Sequence, residues 1–427
     1  MRTPHLTALA LLAAVAAVPG TSVFAQSGTP ATPAQPGSKP PAAQAPGSRG
    51  RSAKAPAAPA AKPARAPGTA ALMKQAAAAT AERKLDEALA LYAKAVRLQP
   101  SLTEAHWYVG VLNYDLDRYE PARNAFRRVI ELSPEKGEAW TLKGLCEFQL
   151  KNYESALTDL VNGRRFGFGG NPEIVSVARY HLAVLLTRDE EFDQGGKLLS
   201  EFANEGNDAP RVIEAMGIAT LRMPLLPSEV PSARREMVMM AGRATFYSGA
   251  RLVAAAEKAF EELVERFPET PHVHYAFGSF LVNEQADRAL EEFKAELKVS
   301  QHHPLAKLQI AYEYIRRGEW DAARPWAEQA VAEAPTNFSA RKAYGQALLE
   351  SGDMEGAITH LEAGVKLAPD SPALRFTLAS AYRRAGRAAD AAREQAEFTR
   401  LDRMLRTERT GAQSVGGMEL EPPRTPQ

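Results

Sequence analysis

A single cysteine, Cys146, in 427 residues leaves the chain without a partner for an internal disulfide, so its stability must come from packing alone. Its neighbours Leu145 and Phe148 point to a buried, inert thiol, and no base and cleft are in view to make it a nucleophile. Long apolar runs are also missing. The stretch from Leu6 to Val18 has 13 residues, short of the roughly 20 that a membrane-crossing helix needs. Long alternating patterns that would build sheets are absent, and aromatic residues make up only 7% of the chain. The glycine-rich stretch 163–170 lacks the Gly-Lys-Ser/Thr ending that completes a phosphate-binding loop, and reads as a connector. Pairs of acids such as Glu261-Glu262 and Glu291-Glu292 lie at ordinary polar helix positions, so nothing singles out a general acid and base.

Acidic residues are missing altogether from residues 26–68, a proline- and alanine-rich stretch that carries Lys39, Arg49, Arg51, Lys54, Lys62 and Arg65. Such a segment has nothing to bury and is expected to be a disordered basic linker. Extended like polyproline, its residues would reach on the order of 130 Å. The chain carries +1; Arg2 and the six linker cations account for +7, which leaves −6 for residues 69–427. A mildly acidic body is the reverse of what a nucleic-acid binder presents, so nucleic acid is excluded as a partner.

Ahead of the linker, Arg2, the apolar run and Val23-Phe24-Ala25 have the order of a secretory signal peptide, residues 1–25, with cleavage expected after Ala25. No cysteine follows to take a lipid anchor, and no transmembrane segment is expected after cleavage. The expected location is therefore exported, periplasmic or extracellular.

What the chain has in quantity is a 34-residue rhythm. Pro100 and Pro134 are one period apart, as are Pro335 and Pro369, each closing a helix-turn-helix pattern. Proline ends the second helix of each unit because it lacks an N–H and clashes with the preceding turn. Gly345, Ala357, Leu361, Gly364 and Pro369 stand at fixed offsets after a helix opening near Phe338, and Ala311, Ala323, Ala327, Ala330 and Pro335 repeat the pattern one unit earlier. Small residues at these offsets let paired helices approach closely. Gly318-Glu319-Trp320 and Gly352-Asp353-Met354 mark the turns inside the hairpins, where glycine accepts a positive φ.

With Gly110, Ala122, Phe126 and Pro134 in residues 103–136, and Ala88, Tyr92, Ala95 and Pro100 in residues 69–102, the sequence resembles the tetratricopeptide repeat family. The resemblance implies an all-α fold, a right-handed solenoid of about nine helical hairpins over residues 69–403. It also implies work done by holding other molecules. Three departures interrupt it. The unit 137–170 lacks its closing proline, Gly278 and Ala289 are one residue closer than the family spacing, and residues 224–231 insert three prolines into a helix-like run. The expected organisation is an N-terminal block at 69–209, an irregular segment at 210–236, a C-terminal block at 237–405 resuming near Met237, and a disordered tail at 406–427.

In this family the first helix of each hairpin lines a concave face. That resemblance implies Trp107, Val111 and Tyr114, then Leu145 and Phe148, then Tyr180 and Val184 as candidate partner-binding residues, with packing between repeats as the equal alternative. Leu225 and Leu226 in the insertion form a candidate docking loop unless something covers them, the rival being that the loop plugs an imperfect joint. His272, His274, His302 and His303 suggest no metal site when each close pair is taken by itself, because residues one or two apart on a helix diverge in direction. No cofactor and no catalysis are expected. The expected function is a non-catalytic protein-protein interaction scaffold or adaptor in the bacterial cell envelope, binding peptide or protein segments. The alternative is a carbohydrate or cell-wall binding module that stacks sugars on Trp107 or Tyr114 and uses the basic linker.

Overall fold

In a computed structural model the backbone is described for residues 68–416, so the expected signal peptide, nearly all of the linker and residues 417–427 lie outside the described residues. The described residues contain nineteen α-helices and no strand. The first six are α1 (Thr69–Ala81), α2 (Leu85–Leu98), α3 (Thr103–Asp115), α4 (Tyr119–Leu132), α5 (Gly137–Gln149) and α6 (Tyr153–Phe166). Then follow α7 (Pro172–Arg188), α8 (Phe192–Asn204) and α9 (Pro210–Thr220), and after a short 3-10 turn at Pro227–Glu229, α10 (Ser232–Gly249) and α11 (Val253–Arg266). The last eight are α12 (Val273–Leu281), α13 (Ala286–Val299), α14 (Pro304–Arg316), α15 (Trp320–Glu333), α16 (Phe338–Glu350), α17 (Met354–Leu367), α18 (Pro372–Arg384) and α19 (Ala388–Gly416). Consecutive helices pair into nine hairpins, and α9 alone has no partner in such a pair.

The chain divides into two compact units within α7, between His181 and Leu182, rather than at residue 209. Each unit is a stack of hairpins, and the signature residues do in each what their sizes suggest. Gly110 on α3 lies so close to the Phe126 ring on α4 that a methyl group would come within 2.6 Å of it. Gly278 stands against Phe293 and Gly345 against Leu361 in the same relation. The large residue of the second helix thus fills the space that the small residue of the first leaves open.

A further regularity joins successive hairpins. A side chain in the first turn of the incoming helix donates to the carbonyl of the proline six residues earlier: at the fourth position His106 to Pro100 (2.9 Å), Trp140 to Pro134 (2.8 Å), Arg341 to Pro335 (2.8 Å) and Arg375 to Pro369 (3.0 Å), and at the second position of α12 His274 to Pro268 (3.0 Å). A carbonyl beside the end of a helix has lost its intrahelical partner, and these donors supply one.

Two boundaries differ from expectation. The helix expected near Met237 begins at Ser232, because Pro231 stands just before its first turn, where a fixed φ and a missing N–H cost nothing. The last helix continues to Gly416 instead of ending at 405. Leu401 remains buried on it, and pairs such as Glu397–Arg400 (2.6 Å) and Asp402–Arg406 (2.8 Å) lie one turn apart along it. Among the described residues no helix is long and apolar enough to cross a membrane.

Candidate functional site

Half of the side chains expected to line a groove in the first unit are packed away. Trp107 is 1% exposed, edge-on to Phe126 at 5.6 Å, with the Lys136 ammonium 3.9 Å from its ring centre on α5's side. Val111 and Leu145 are equally buried, and in the second unit so is Val184. Tyr114, Phe148 and Tyr180 keep partial exposure. Phe148 packs edge-on to His181 at 4.4 Å, and Tyr180 to the same ring at 5.4 Å. The inner helices are flanked on both sides, so a position pointing inward meets a neighbouring repeat before it meets solvent. Burial also pushes the Tyr114 hydroxyl and the Cys146 thiol well above their usual ranges, which leaves Cys146 the inert thiol expected of it.

The insertion is likewise closed inward. Leu226 is 3% exposed, and Val230 and Met223 are buried beside it in the core of the second unit, with Leu225 half-buried against the same core. Glu229 holds the loop by accepting the Leu226 backbone N–H at 2.8 Å. The expectation of two exposed leucines fails because three prolines bend this segment back onto α9 and α10. Leu226 is thus covered from within the chain.

Two clefts open in the second unit, both around Arg222. The first, about 700 Å³, lies beside the insertion and is lined by Leu221, Met223, Leu225, Met237, Phe267 and His272 among others. The second, about 660 Å³, runs across α8, α9, α10, α11, α12 and α14. Phe192, Phe260 and Phe280 are among its apolar walls; Ser200, Thr220, Thr245, Ser248, Ser279 and Gln309 are its uncharged polar lining. Both volumes fall within the range of ligand sites.

Four hydroxyls of the second cleft, those of Ser200, Thr220, Thr245 and Ser279, have their protons committed. Thr245 donates to the Ala241 carbonyl at 2.9 Å, so in the 2.7 Å contact between Thr220 and Thr245 it is Thr220 that donates. Ser279 donates to the Tyr275 carbonyl at 2.8 Å and Ser200 to that of Lys197 at 2.7 Å. What they retain is acceptor capacity. Arg222 and Lys197 supply donors on the same wall; the Arg222 guanidinium lies 4.6 Å from the Phe192 ring centre and bonds Asp193 at 3.3 Å.

Between the clefts, three residues that are far apart in sequence meet. His303 begins α14 with its Nδ1 accepting the Ala306 N–H at 3.0 Å, so its Nε2 carries the ring proton and donates to His272 Nδ1, also at 3.0 Å. Glu296 on α13, fully buried, accepts the backbone N–H of His272 at 2.8 Å and of Tyr275 at 3.1 Å. It thereby caps α12. Burial, with Arg222 adding to it, pushes His272 down to about 4; His303 falls to about 4 by burial, the neighbouring His272 and Arg222. His274 behaves oppositely. Its hydrogen bond to Glu292 (2.6 Å) raises its pKa above the ordinary range, and with its other nitrogen it donates to Pro268. Comparing each close pair of histidines alone missed the meeting of His272 with His303, since it depends on one turn lying over the next.

The tetratricopeptide repeat profile matches residues 73–135, 110–166, 279–338, 308–372 and 342–401, together more than half of the chain. The protein belongs to the tetratricopeptide repeat family. Repeats of this kind support a protein-protein interaction scaffold and are typically non-catalytic. The profile leaves 167–278 unmatched, and most of the residues lining the two clefts fall there. No curated protein matches the chain in sequence. Among solved structures it is similar to "MamA RS-1 ArsTM double mutant" at 20% identity, over 40% of this chain and 96% of that one, with a TM-score of 0.37. It is also similar to "MamA 41-end from Desulfovibrio magneticus RS-1" at 23% identity, over 39% and 98%, with a TM-score of 0.35.

Proposed function

We propose that the protein is an exported, non-catalytic adaptor of the bacterial envelope that holds an extended segment of a partner protein in the second cleft. The observation that carries this reading is the pairing of acceptors with donors along one aromatic-walled trough of about 660 Å³. An extended backbone presents N–H and C=O groups on both edges. Thr220, Thr245 and Ser279 accept from its amides, Arg222 and Lys197 donate to its carbonyls, and apolar side chains reach Phe260 and Phe280. Tyr275, whose hydroxyl lies beside Ser279 and Gln309, closes the floor. Export rests on the signal-like residues 1–25, and the basic linker gives the body reach within the periplasm or outside the cell.

The carbohydrate reading loses one of its two stacking residues, since Trp107 has no open ring face, whereas Tyr114 keeps partial exposure. A photo-crosslinking residue at Ser279, expressed in the native envelope, is expected to trap a discrete protein partner, with Thr245→Trp abolishing the product. The same probe at Lys258, whose side chain is 78% exposed on α11, should trap none. Equal trapping from both positions, or trapping unaffected by Thr245→Trp, would refute the cleft. A mature N-terminus at Gln26 in a periplasmic fraction tests the export; an intact residue 1 in the cytoplasm would overturn it.

A further inference from the structure

His272 Nδ1 and His303 Nε2 are 3.0 Å apart, Glu296 Oε1 is 3.8 Å from the same His303 nitrogen, and all three groups offer ligand atoms within 4.8 Å of one another. The three residues come from three elements: the N-terminus of α12, the body of α13 and the N-terminus of α14. Two imidazoles and a carboxylate are a donor set that zinc uses, and tetrahedral zinc with Zn–N of about 2.0–2.1 Å sets its ligand atoms roughly 3.3 Å apart. The 3.0 and 3.8 Å spacings bracket that value, and since the three atoms spread over no more than 4.8 Å, side-chain shifts of up to about 1.5 Å would close the set around an ion.

Glu296 is already held as a ligating carboxylate needs to be. Each oxygen accepts one backbone N–H and keeps a further lone pair. Access is provided as well, because His272 lines the 700 Å³ cleft while Glu296 and His303 lie buried behind it.

We propose that His272, Glu296 and His303 bind one divalent transition-metal ion, zinc by the character of the donors, the ion taking the place of the proton that now joins the two imidazoles. Bound there, it ties α12, α13 and α14 together and so fixes one hairpin to the next. The opposing contribution sits at His303. With the ion on Nε2 the ring proton moves to Nδ1, which can then no longer accept the Ala306 N–H, and loss of one such cap weakens binding roughly five- to tenfold. The ion is therefore held less tightly than the three donors alone would hold it.

Calorimetric titration of zinc chloride into the full chain, freed of metal beforehand with a chelator, is expected to show one ion per chain. Cobalt(II) should give the visible absorption of a four-coordinate centre. His272→Gln, at a half-exposed position, should lower affinity at least tenfold with the far-ultraviolet circular dichroism unchanged. His303→Asn, which keeps a capping side chain, should do the same. His302→Gln removes a ring whose side chain is 85% exposed and should leave binding intact. No heat of binding, undiminished binding by both His272→Gln and His303→Asn, or loss only in His302→Gln would overturn the proposal, the last two outcomes meaning an ion held on the surface.

Discussion

Glycine 242 on α10 faces the backbone of α9 so closely that a methyl group there would sit 1.9 Å from the Ile213 carbonyl oxygen and 3.0 Å from the Gly217 nitrogen. Gly217 stands opposite, its own added methyl 1.8 Å from the Val238 oxygen. Real contacts of this kind stay beyond 3.0 Å, so Gly242→Ala must part the two helices by about 1 Å at their crossing, and a gap of about that size forfeits a quarter to a half of each dispersion contact across it. Ile218, Val238 and Ala241 belong to the core cluster that would loosen. Overpacking at such a site costs about 1–3 kcal/mol, and the upper end is expected here because the obstacle is backbone, which cannot rotate away.

The two glycines share one crossing, so their effects should not add. Once Gly242→Ala has parted the helices, Gly217→Ala meets an open gap, and the double variant should fall short of the sum by 1 kcal/mol or more. Gly196→Ala is the contrasting case, since its methyl would meet nothing within 4 Å on α8; there the helix gains up to about 1 kcal/mol. Stacked repeats need not unfold in one step. Hydrogen exchange of the α9 and α10 amides, read beside the urea midpoint, is therefore the appropriate assay. Unchanged exchange in Gly242→Ala, or strict additivity with Gly217→Ala, would refute the reasoning.

Four other expectations follow from the geometry. Gly352→Ala fills open space but forces a side chain onto a φ of 88°, so it should lower stability by about 1 kcal/mol although it creates no clash; an unchanged midpoint would mean that the turn relaxes. Lys151→Gly reverses that logic at a φ of 63° and should raise the midpoint or leave it level, never lower it. Trp140→Phe keeps the ring and loses the 2.8 Å bond to Pro134, at a cost of about 1 kcal/mol; equal melting would show that water replaces the donor. The His272–His303 pair, faced by Arg222, Glu296 and Glu333, binds fewer protons folded than unfolded between pH 6.5 and about 4. Its contribution is thus complete above pH 6.5 and is lost as pH falls toward 4, by about 3–5 kcal/mol with His303 counted in full and His272 discounted for solvent. The His272→Gln/His303→Asn double variant should lack that part of the pH dependence, and parallel curves would refute it.

The repeat was legible because each signature residue acts within one hairpin: Gly110 against Phe126 and Gly345 against Leu361 are 16 residues apart in sequence, a spacing that hairpin geometry fixes. What escaped depends on contacts that no single hairpin contains. Helical position told that Trp107 and Leu145 point inward, but not that neighbouring repeats cover them. The crossing of Gly217 with Gly242 joins a helix that has no hairpin partner to the first helix of the next hairpin, and the insertion between them hides the register. Leu226 looked exposed only while the three prolines around it were taken as a loop with nowhere to fold. The extension of α19 beyond residue 405 leaves no repeat signature; its helical spacing of opposite charges was the available sign.

The bond to the proline carbonyl is served in turn by histidine, tryptophan, histidine, arginine and arginine. All these side chains have in common a long reach and at least one N–H at the end of it. Selection acting on that joint cannot distinguish an indole from a guanidinium, so the position is free to drift among residues that no substitution table groups together. A stack held by such interchangeable parts keeps its architecture while its letters differ from one repeat to the next, and the residues that vary most between its repeats include the fastenings of its joints.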